Sequence, residues 1–189
     1  MNAKPERDPN QRGVRPMLTG QLDFEGITFQ YEGAASPALK DVNFSIEEGQ
    51  TIGIVGESGS GKSLTALSVM RLLSPSLKQR EGRIQLAGQE LTTLPDREMR
   101  RLRGGKIAMI FQDPQMSLNP VLTIGEQLTE VLRHHQGASQ ALARERAVEL
   151  LGKVGIASAG ERLSQYPHQL SGGLRQRVMI AMALMCGPD

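Results

Sequence analysis

The sequence predicts an α/β fold, in which a core that contains strands is followed by a region made of helices. Short runs of alternating or continuous apolar side chains, which are typical of strands, occur only before residue 113. They lie at 22–29, 39–46, 51–55, 81–88 and 106–111. After Asp113, apolar side chains recur instead at the spacing of amphipathic helices. With 189 residues, the chain is long enough for one domain with a hydrophobic core and a small subdomain.

The predicted strands differ in how far their side-chain patterns indicate that they are buried. Leu22–Phe29 and Leu39–Ile46 alternate apolar and polar side chains, which is typical of half-buried strands, and a turn at Gly33–Pro37 separates them. Thr51–Val55 and Ile107–Phe111 are continuously apolar, which predicts strands buried on both faces.

Helices are predicted at 63–73, 95–103, 123–135, 139–154 and 171–185. The helix at Pro95–Arg103 is highly charged and is expected to face solvent. Ser139 is the expected N-cap of the helix at 139–154. The apolar residues of that helix that recur at helical spacing are Leu142, Ala143, Leu150 and Leu151. The methionines of the last helix, up to Met185, are expected to pack in the core rather than to bind a ligand.

Composition and charge exclude several classes of protein. With 22 basic and 20 acidic residues the net charge is only +2, so we expect no nucleic-acid partner despite a pI of 8.9. The longest apolar run, Val178–Cys186, is far shorter than the roughly 20 residues that span a membrane. Residues 1–20 are polar and rich in Pro and Arg, and are expected to be a disordered tail. Cys186 is the single cysteine, which suits a reducing, cytoplasmic compartment.

A glycine-rich segment lies between the predicted strand at 51–55 and the predicted helix at 63–73. Its residues are Gly56, Glu57, Ser58, Gly59, Ser60, Gly61, Lys62 and Ser63. They fit the pattern Gly-x-x-x-x-Gly-Lys-[Ser/Thr], in which backbone N–H groups form a concave nest for phosphates. We expect Gly56, Gly59 and Gly61 to adopt backbone angles that a β-carbon would forbid.

The last two residues of this segment have separate expected roles. Lys62 supplies a mobile positive charge for the outer phosphates, and the Ser63 hydroxyl is a candidate ligand of Mg²⁺. A flexible Gly/Ser linker is the alternative interpretation, but it explains neither the strand before the segment nor the helix after it. The sequence therefore predicts a nucleotide-binding loop.

Three further features indicate a nucleotide site only when they are taken together. Gln112 follows a predicted buried strand, where its amide is a candidate ligand of Mg²⁺ or of a water beside the γ-phosphate. In Leu170–Arg177, a turn of small residues opens a helix and creates a second anion-binding N-terminus, although an ordinary Ser N-cap has the same appearance. Tyr31 is a candidate stacking platform for adenine, and a half-buried residue at a strand end is the simpler interpretation.

In this order, these segments closely resemble those of the ATP-binding subunit of an ABC transporter, and the resemblance covers Leu22–Asp189. Gly56–Ser63 matches the Walker A motif, Gln112 the Q-loop and Leu170–Gly173 the signature motif. Other stretches resemble the bacterial importers of dipeptides, oligopeptides, glutathione or nickel. These stretches lie at 110–120, 166–173 and 175–184.

The resemblance implies a P-loop NTPase domain of ABC type over 21–189, with N-terminal antiparallel strands and an α-helical subdomain at about 113–175. Its cofactors would be ATP and Mg²⁺, and two such subunits, related or identical, would clamp ATP head to tail. Ser171, Gly172 and Gly173 would then contact the γ-phosphate at the Walker A loop of the other subunit. The helical subdomain would meet two membrane permease subunits at the cytoplasmic face of the inner membrane, and an external binding protein would deliver the solute.

The chain departs from the family pattern in two respects. Leu174 stands where much of the superfamily has Gln, and the subgroup commonly has Met there, so this departure is mild. The chain also stops at Asp189, whereas the family continues into the Walker B strand with its Mg²⁺-binding Asp and its catalytic Glu. We therefore expect a truncated form with an incomplete core sheet, which exposes the apolar runs at 51–55 and 107–111, folds poorly alone and does not turn over ATP.

Two other functions stay open on the sequence alone. The first is a soluble ABC ATPase that acts on DNA or ribosomes, although the chain has no long coiled coil, paired zinc-binding cysteines or second cassette. The second is a non-catalytic nucleotide-binding fragment that docks on permeases. A generic P-loop kinase is disfavoured because it leaves Leu170–Arg177 unexplained.

Overall fold

The structure, a computed structural model, describes residues 20–50, 52–111 and 117–188. Within these residues the strands are β1 (Leu22–Tyr31), β2 (Leu39–Ile46), β3 (Leu77–Leu86) and β4 (Gln89–Glu90). The α-helices are α1 (Lys62–Val69), α2 (Asp96–Leu102), α3 (Ile124–Gln136), α4 (Gln140–Lys153), α5 (Ala159–Arg162) and α6 (Gly172–Ala183), and a 3-10 helix spans Pro167–Gln169. Every described helix is too short or too polar to cross a lipid bilayer. Strands therefore precede the helical region, and the predicted α/β fold is confirmed.

The strands form one antiparallel sheet in the order β2-β1-β3-β4. β1 pairs along its length with β2 on one side and with β3 on the other, and both pairings are irregular just after residue 24. Gly26 has a φ of 60° at this irregularity, and Gly82 on β3 has a φ of 84°. A β-carbon on Gly82 would lie only 2.4 Å from backbone atoms of Glu25 and Gly26. The two glycines therefore permit a close approach of β1 and β3 where the sheet bulges.

The sheet packs against α1 and α2 and forms the first hydrophobic core. Its buried side chains are Phe24, Ile27, Phe29, Leu39, Leu77, Ile84, Leu91 and Met99. Phe24 stacks on Phe44 of the neighbouring strand, with ring centroids 4.2 Å apart. Asp96 and Arg100 form a 2.7 Å ion pair on the exposed side of α2, so the prediction of a charged, solvent-facing helix is confirmed.

Helices α3, α4 and α6 form the second hydrophobic core, and side chains cap two of them. Thr123 and Glu126 form a capping box at the start of α3, in which the Thr123 hydroxyl and N–H both donate to the Glu126 carboxylate at 2.7 Å. These hydrogen bonds lower the pKa of the Glu126 carboxyl. Ser139 caps α4 as predicted, because its hydroxyl oxygen accepts the N–H of Leu142. Both helix starts are therefore encoded locally.

The C-terminal methionines belong to the second core. Met179 and Met185 are buried in it, and Met182 packs against it, so the predicted packing role is confirmed. Cys186 is half-buried against the same core, and burial raises the pKa of its thiol. The cysteine therefore packs as a small apolar side chain.

Two leucines of α4 form a matched pair with opposite exposure. Leu151 is fully buried, whereas Leu142, which recurs with it at helical spacing in the sequence, is 54% exposed. The buried stripe runs through Ala143, Ala147 and Leu150 instead. We expect Leu151→Ala to lower the free energy of unfolding by about 3 kcal/mol and Leu142→Ala by less than about 1 kcal/mol. Urea denaturation followed by circular dichroism measures both, and equal losses would contradict this packing.

The two strands predicted to be buried on both faces, at 51–55 and 107–111, are not formed within the residues that the structure describes. Thr51 lies outside the described residues, and neither 52–55 nor 107–111 pairs as a strand in the part of the chain that the structure describes. One isolated parallel bridge joins Arg103 to Ile107. A strand buried on both faces needs a neighbour on each side, and the described residues supply none at these positions.

The same two runs expose apolar side chains. Val55 is 92% exposed. The other large hydrophobic side chains that are exposed in these runs are Ile52, Ile54, Ile110 and Phe111. The predicted exposure is therefore confirmed for 52–55 and 110–111, whereas 107–109 are half-buried.

Helix α1 ends at Val69, before its predicted end at Leu73. The backbone leaves the helix at Arg71, which has a φ of 50°. Arg103 then donates from Nε to the carbonyl of Met70 at 2.7 Å and from Nη2 to the carbonyl of Arg71 at 3.1 Å. A side chain distant in the sequence therefore satisfies the carbonyls at this helix end.

An apolar cavity of about 700 Å³ lies between the two cores. The side chains that line it include Met70, Met109 and Phe111 from the N-terminal half and Val131, Met179 and Met182 from the helices. Close by, His135 of α3 packs on the backbone at Gly104, where a β-carbon would lie 2.9 Å from its Nε2. Burial and the neighbouring His134 lower the pKa of His135. The cores therefore meet at this glycine and leave the cavity open beside it.

Candidate nucleotide-binding site

The phosphate loop, residues 56–63, lies mostly at the surface and leads directly into α1. Gly59 and Gly61 have φ values of 83° and 90°, in the left-handed region that favours glycine, so the prediction is confirmed for these two residues. Gly61 is the N-cap of α1 and supplies no side-chain cap. The first N–H groups of α1 are therefore available to a bound anion.

Gly56 is required for space rather than for its backbone angle. It does not lie in the left-handed region, so the predicted angle is wrong for this residue. A β-carbon on Gly56 would lie 2.5 Å from Oγ of Ser60, and one on Gly61 would lie 2.4 Å from Cδ2 of Leu39. Both glycines thus permit the loop to fold tightly, the first against itself and the second against β2.

The ammonium group of Lys62 points back into the loop. It donates to the carbonyl of Gly56 at 2.9 Å, to the carbonyl of Glu57 at 2.6 Å and to Oγ of Ser60 at 3.2 Å. The positive charge therefore lies within the curve of the loop, next to the N–H groups that begin α1. A phosphate group held by those N–H groups would be within reach of this ammonium.

Ser63 is exposed on the first turn of α1, one residue after Lys62. Mg²⁺ binds oxygen ligands in octahedral geometry and commonly takes most of them from phosphates and water. An exposed hydroxyl beside a phosphate site fits one of these ligand positions, so Ser63 would hold the ion against the nucleotide. Gln112, the other predicted ligand, lies outside the described residues.

Tyr31 lies at the end of β1, two residues beyond a strand pair that contacts the phosphate loop. Phe29 of β1 pairs with Leu39 of β2, and the Leu39 side chain lies directly against Gly61. Tyr31 is two residues further along β1, about 7 Å from Phe29, and its ring is 41% exposed. The ring is therefore accessible to a base bound beside the loop, and its stacking role stays a prediction.

The start of α6 is the second predicted anion site. Ser171 is its N-cap, and the Ser171 hydroxyl oxygen accepts the N–H of Leu174 at 3.3 Å. Gly172 and Gly173 are exposed, and no atom lies within 4 Å of a β-carbon built on either residue. The first turn of α6 is therefore open to a ligand or to another molecule.

Two arginines of α6 fix this segment, and sequence reasoning missed both roles. Arg175 donates from Nε to the carbonyl of Leu170 at 3.2 Å, and Arg177 donates from Nη1 to the carbonyl of Gly155 at 2.8 Å. Arg175 thereby holds the carbonyl immediately before Ser171. Both arginines are visible in the motif, but their backbone acceptors are set by the packing of α6.

The two predicted anion sites belong to different parts of the fold. No hydrogen bond or ion pair joins residues 56–63 to Ser171–Gly173 within the described ranges. The phosphate loop leads from the sheet into α1, whereas Ser171–Gly173 begins a helix of the second core.

The ABC transporter family profile matches residues 39–189. The chain belongs to the ABC transporter family. The dipeptide transport ATP-binding protein DppD of Bacillus subtilis (strain 168) is 51% identical over 164 residues, which are 86% of this chain and 49% of DppD. The oligopeptide transport ATP-binding protein AppD of the same strain is 52% identical over 153 residues, 80% of this chain and 47% of AppD. This ABC transporter chain therefore spans about half the length of these curated relatives.

Solved structures of the ABC transporter cassette MJ0796 have the same fold. Two of them match with a TM-score of 0.77 and 34% identity, over 88% of this chain and 70% of theirs. One is described as a dimeric post-hydrolysis state bound to ADP and Pi. The predicted ABC-type fold and the predicted resemblance to ATP-binding subunits of peptide importers are therefore confirmed.

Proposed function

We propose that this chain is the ATP-binding motor subunit of an ABC importer of di- or oligopeptides or a related solute. The observation that carries the proposal is the phosphate loop, in which Gly59 and Gly61 adopt left-handed angles and the Lys62 ammonium lies within the curve. The names of the relatives DppD and AppD support peptides as the solute class. ATP binding and hydrolysis would drive the uptake.

The nucleotide of this proposal is ATP with Mg²⁺. The N–H groups of the loop and of α1 bind its phosphates, and Lys62 neutralises the outer ones. Ser63 and Gln112 hold Mg²⁺, and Tyr31 stacks on the adenine. The exposure of Ser63 and of the Tyr31 ring supports two of these assignments.

Hydrolysis in this proposal depends on electrostatic stabilisation of the transferring phosphoryl group by Lys62, Mg²⁺ and the loop N–H groups. The family resemblance assigns the water-activating Glu to a segment beyond Asp189. The exposed apolar side chains at 52–55 and 110–111 support the idea that a further segment completes the core sheet.

The partners of this proposal are a second ABC ATP-binding subunit, two membrane permeases and, indirectly, an external solute-binding protein. Ser171, Gly172 and Gly173 would contact the γ-phosphate bound at the second subunit, and their open surroundings support such a contact. The even balance of 22 basic and 20 acidic residues supports the absence of a nucleic-acid partner. The subunit would act at the cytoplasmic face of the inner membrane.

Gly173→Asp in the full-length protein tests this proposal. A β-carbon on Gly173 meets nothing within 4 Å. An acidic side chain in the first turn of α6 also interacts favourably with the helix dipole, so the fold should be retained. The carboxylate would lie where a phosphate is proposed to bind and would repel it. We expect peptide uptake by cells that produce the variant with its permeases to fall at least about tenfold.

Gly160→Asp is the matched control for Gly173→Asp. Gly160 is also exposed in the first turn of a helix, and a β-carbon there also meets nothing within 4 Å. We expect uptake by this variant to equal uptake by the wild type. Normal uptake by Gly173→Asp at wild-type protein level would contradict the proposed function.

A further inference from the structure

All three N–H donors of the Lys62 ammonium have acceptors within the loop itself. The acceptors are the carbonyls of Gly56 and Glu57 and the hydroxyl oxygen of Ser60. An ammonium group has only three donors, so a phosphate oxygen can bind Lys62 only if it replaces or shares one of these contacts. Binding of a phosphate therefore displaces or weakens one of the three contacts.

The Ser60 contact is the weakest and the most easily moved of the three. Its distance is 3.2 Å, against 2.9 Å and 2.6 Å for the two carbonyls. The carbonyls belong to the backbone of the loop, whose turn is fixed by the hydrogen bond from the N–H of Ser60 to the carbonyl of Glu57. The Ser60 hydroxyl is on a side chain and is released by rotation about a single bond.

The position of the Ser60 hydroxyl is set by the same tight loop. Oγ would lie 2.5 Å from a β-carbon on Gly56, so it occupies the space that Gly56 leaves open at the start of the loop. Ser60 is exposed, and therefore a ligand that enters the loop from solvent can reach it. A neutral oxygen thus occupies a position beside the ammonium where a negatively charged oxygen would bind more strongly.

We propose that the Ser60 hydroxyl is a placeholder for a phosphate oxygen on Lys62, which makes it an internal competitor of nucleotide phosphates. The hydroxyl accepts the third hydrogen bond of the ammonium, and a triphosphate displaces it. This inference rests on the proposed nucleotide-binding function. It assigns the Ser60 hydroxyl a role as a competitor rather than as a contact of the nucleotide.

The placeholder predicts that Ser60→Ala tightens the binding of a triphosphate. The variant removes the hydroxyl that competes with a phosphate oxygen for the ammonium, and it leaves the carbonyl contacts of Lys62 intact. We expect the Kd for ATP to fall about threefold. This change lies within the net free energy that a hydrogen bond to a charged group contributes when it replaces hydrogen bonds to water. Inorganic triphosphate should show the same gain, because the competition concerns the phosphates alone.

Isothermal titration calorimetry of the full chain with ATP and with inorganic triphosphate tests this inference. Ser60→Ala is measured alone and in combination with Lys62→Met. Ser60→Ala should not lower the Kd in the Lys62→Met background, because the Ser60 hydroxyl then has no ammonium to bind. Ser164→Ala is the matched control. Ser164 is also an exposed serine with a hydrogen-bonded hydroxyl, which donates to the carbonyl of Glu161, but it lies in the helical region and not in the phosphate loop. We expect that control to bind like the wild type.

The outcomes separate this inference from the proposed function. Wild-type binding together with unchanged or weaker binding by Ser60→Ala would overturn the placeholder and leave the proposed function intact. A gain that persists in the Lys62→Met background would also overturn it, because the effect would not pass through the ammonium. A wild-type chain that binds no triphosphate would overturn both the placeholder and the proposed function.

Discussion

Gly82→Ala should destabilise the antiparallel sheet by about 4 kcal/mol, a loss comparable to much of the stability of a small domain. Gly82 has a φ of 84°, and a β-carbon there would lie 2.4 Å from three backbone atoms of Glu25 and Gly26. Backbone atoms cannot rotate away as side chains do, so β1 must move and its pairing with β3 is disturbed. Chemical denaturation followed by circular dichroism measures the loss.

Gly88→Ala separates the clash from backbone strain. Gly88 lies in the turn between β3 and β4 with a φ of 75°, but no atom lies within 4 Å of a β-carbon built there. The substitution therefore incurs only the cost of a left-handed alanine, about 1 kcal/mol. If Gly82→Ala lost no more stability than Gly88→Ala, the result would contradict the close approach of β1 and β3 at Gly82.

Lys62→Met should weaken ATP binding by about 100-fold. The substitution keeps much of the aliphatic side chain and removes the charge that lies within the phosphate loop. It also removes the hydrogen bonds to the carbonyls of Gly56 and Glu57, which hold the start of the loop close to α1. Titration calorimetry or displacement of a fluorescent ATP analogue measures the change in Kd.

Lys78→Met is the control for this loss of one positive charge. Lys78 is exposed on β3, outside the phosphate loop, so its removal changes the net charge of the chain by the same amount. We expect its Kd for ATP to remain within about twofold of wild type, because exposed and distant charges are screened by salt. A similar loss of affinity in both variants would indicate a general charge effect rather than a phosphate site.

The phosphate loop was predictable because its chemistry depends on residues that are adjacent in the chain. Gly59 and Gly61 have the predicted left-handed angles, and Lys62 lies beside the N–H groups that begin α1. The caps at Ser139 and Ser171 follow the same logic, because each hydroxyl accepts an N–H only three residues away. Local spacing fixes such contacts whatever surrounds them.

Contacts between distant segments were not predictable in the same way. Pattern alone assigned strands to 51–55 and 107–111, yet the described residues of those runs form no strand. Helical spacing alone also did not show that Leu142 is exposed whereas Leu151 is buried. An apolar run becomes a buried strand only when neighbouring strands cover it, and the sequence of the run does not contain those neighbours.

The sequence by itself determined the phosphate loop and the caps at Ser139 and Ser171, because each depends on short-range spacing, and the resemblance of its motifs to a known family indicated the ABC-type fold. Only the tertiary structure decided that Gly56 and Gly82 are needed for space, that Arg103 and Arg175 satisfy backbone carbonyls, and that Ser60 holds the third donor of Lys62. These roles depend on distances between atoms of residues that are brought together by folding. Side-chain spacing along the chain does not specify such distances, because packing between separate elements sets them.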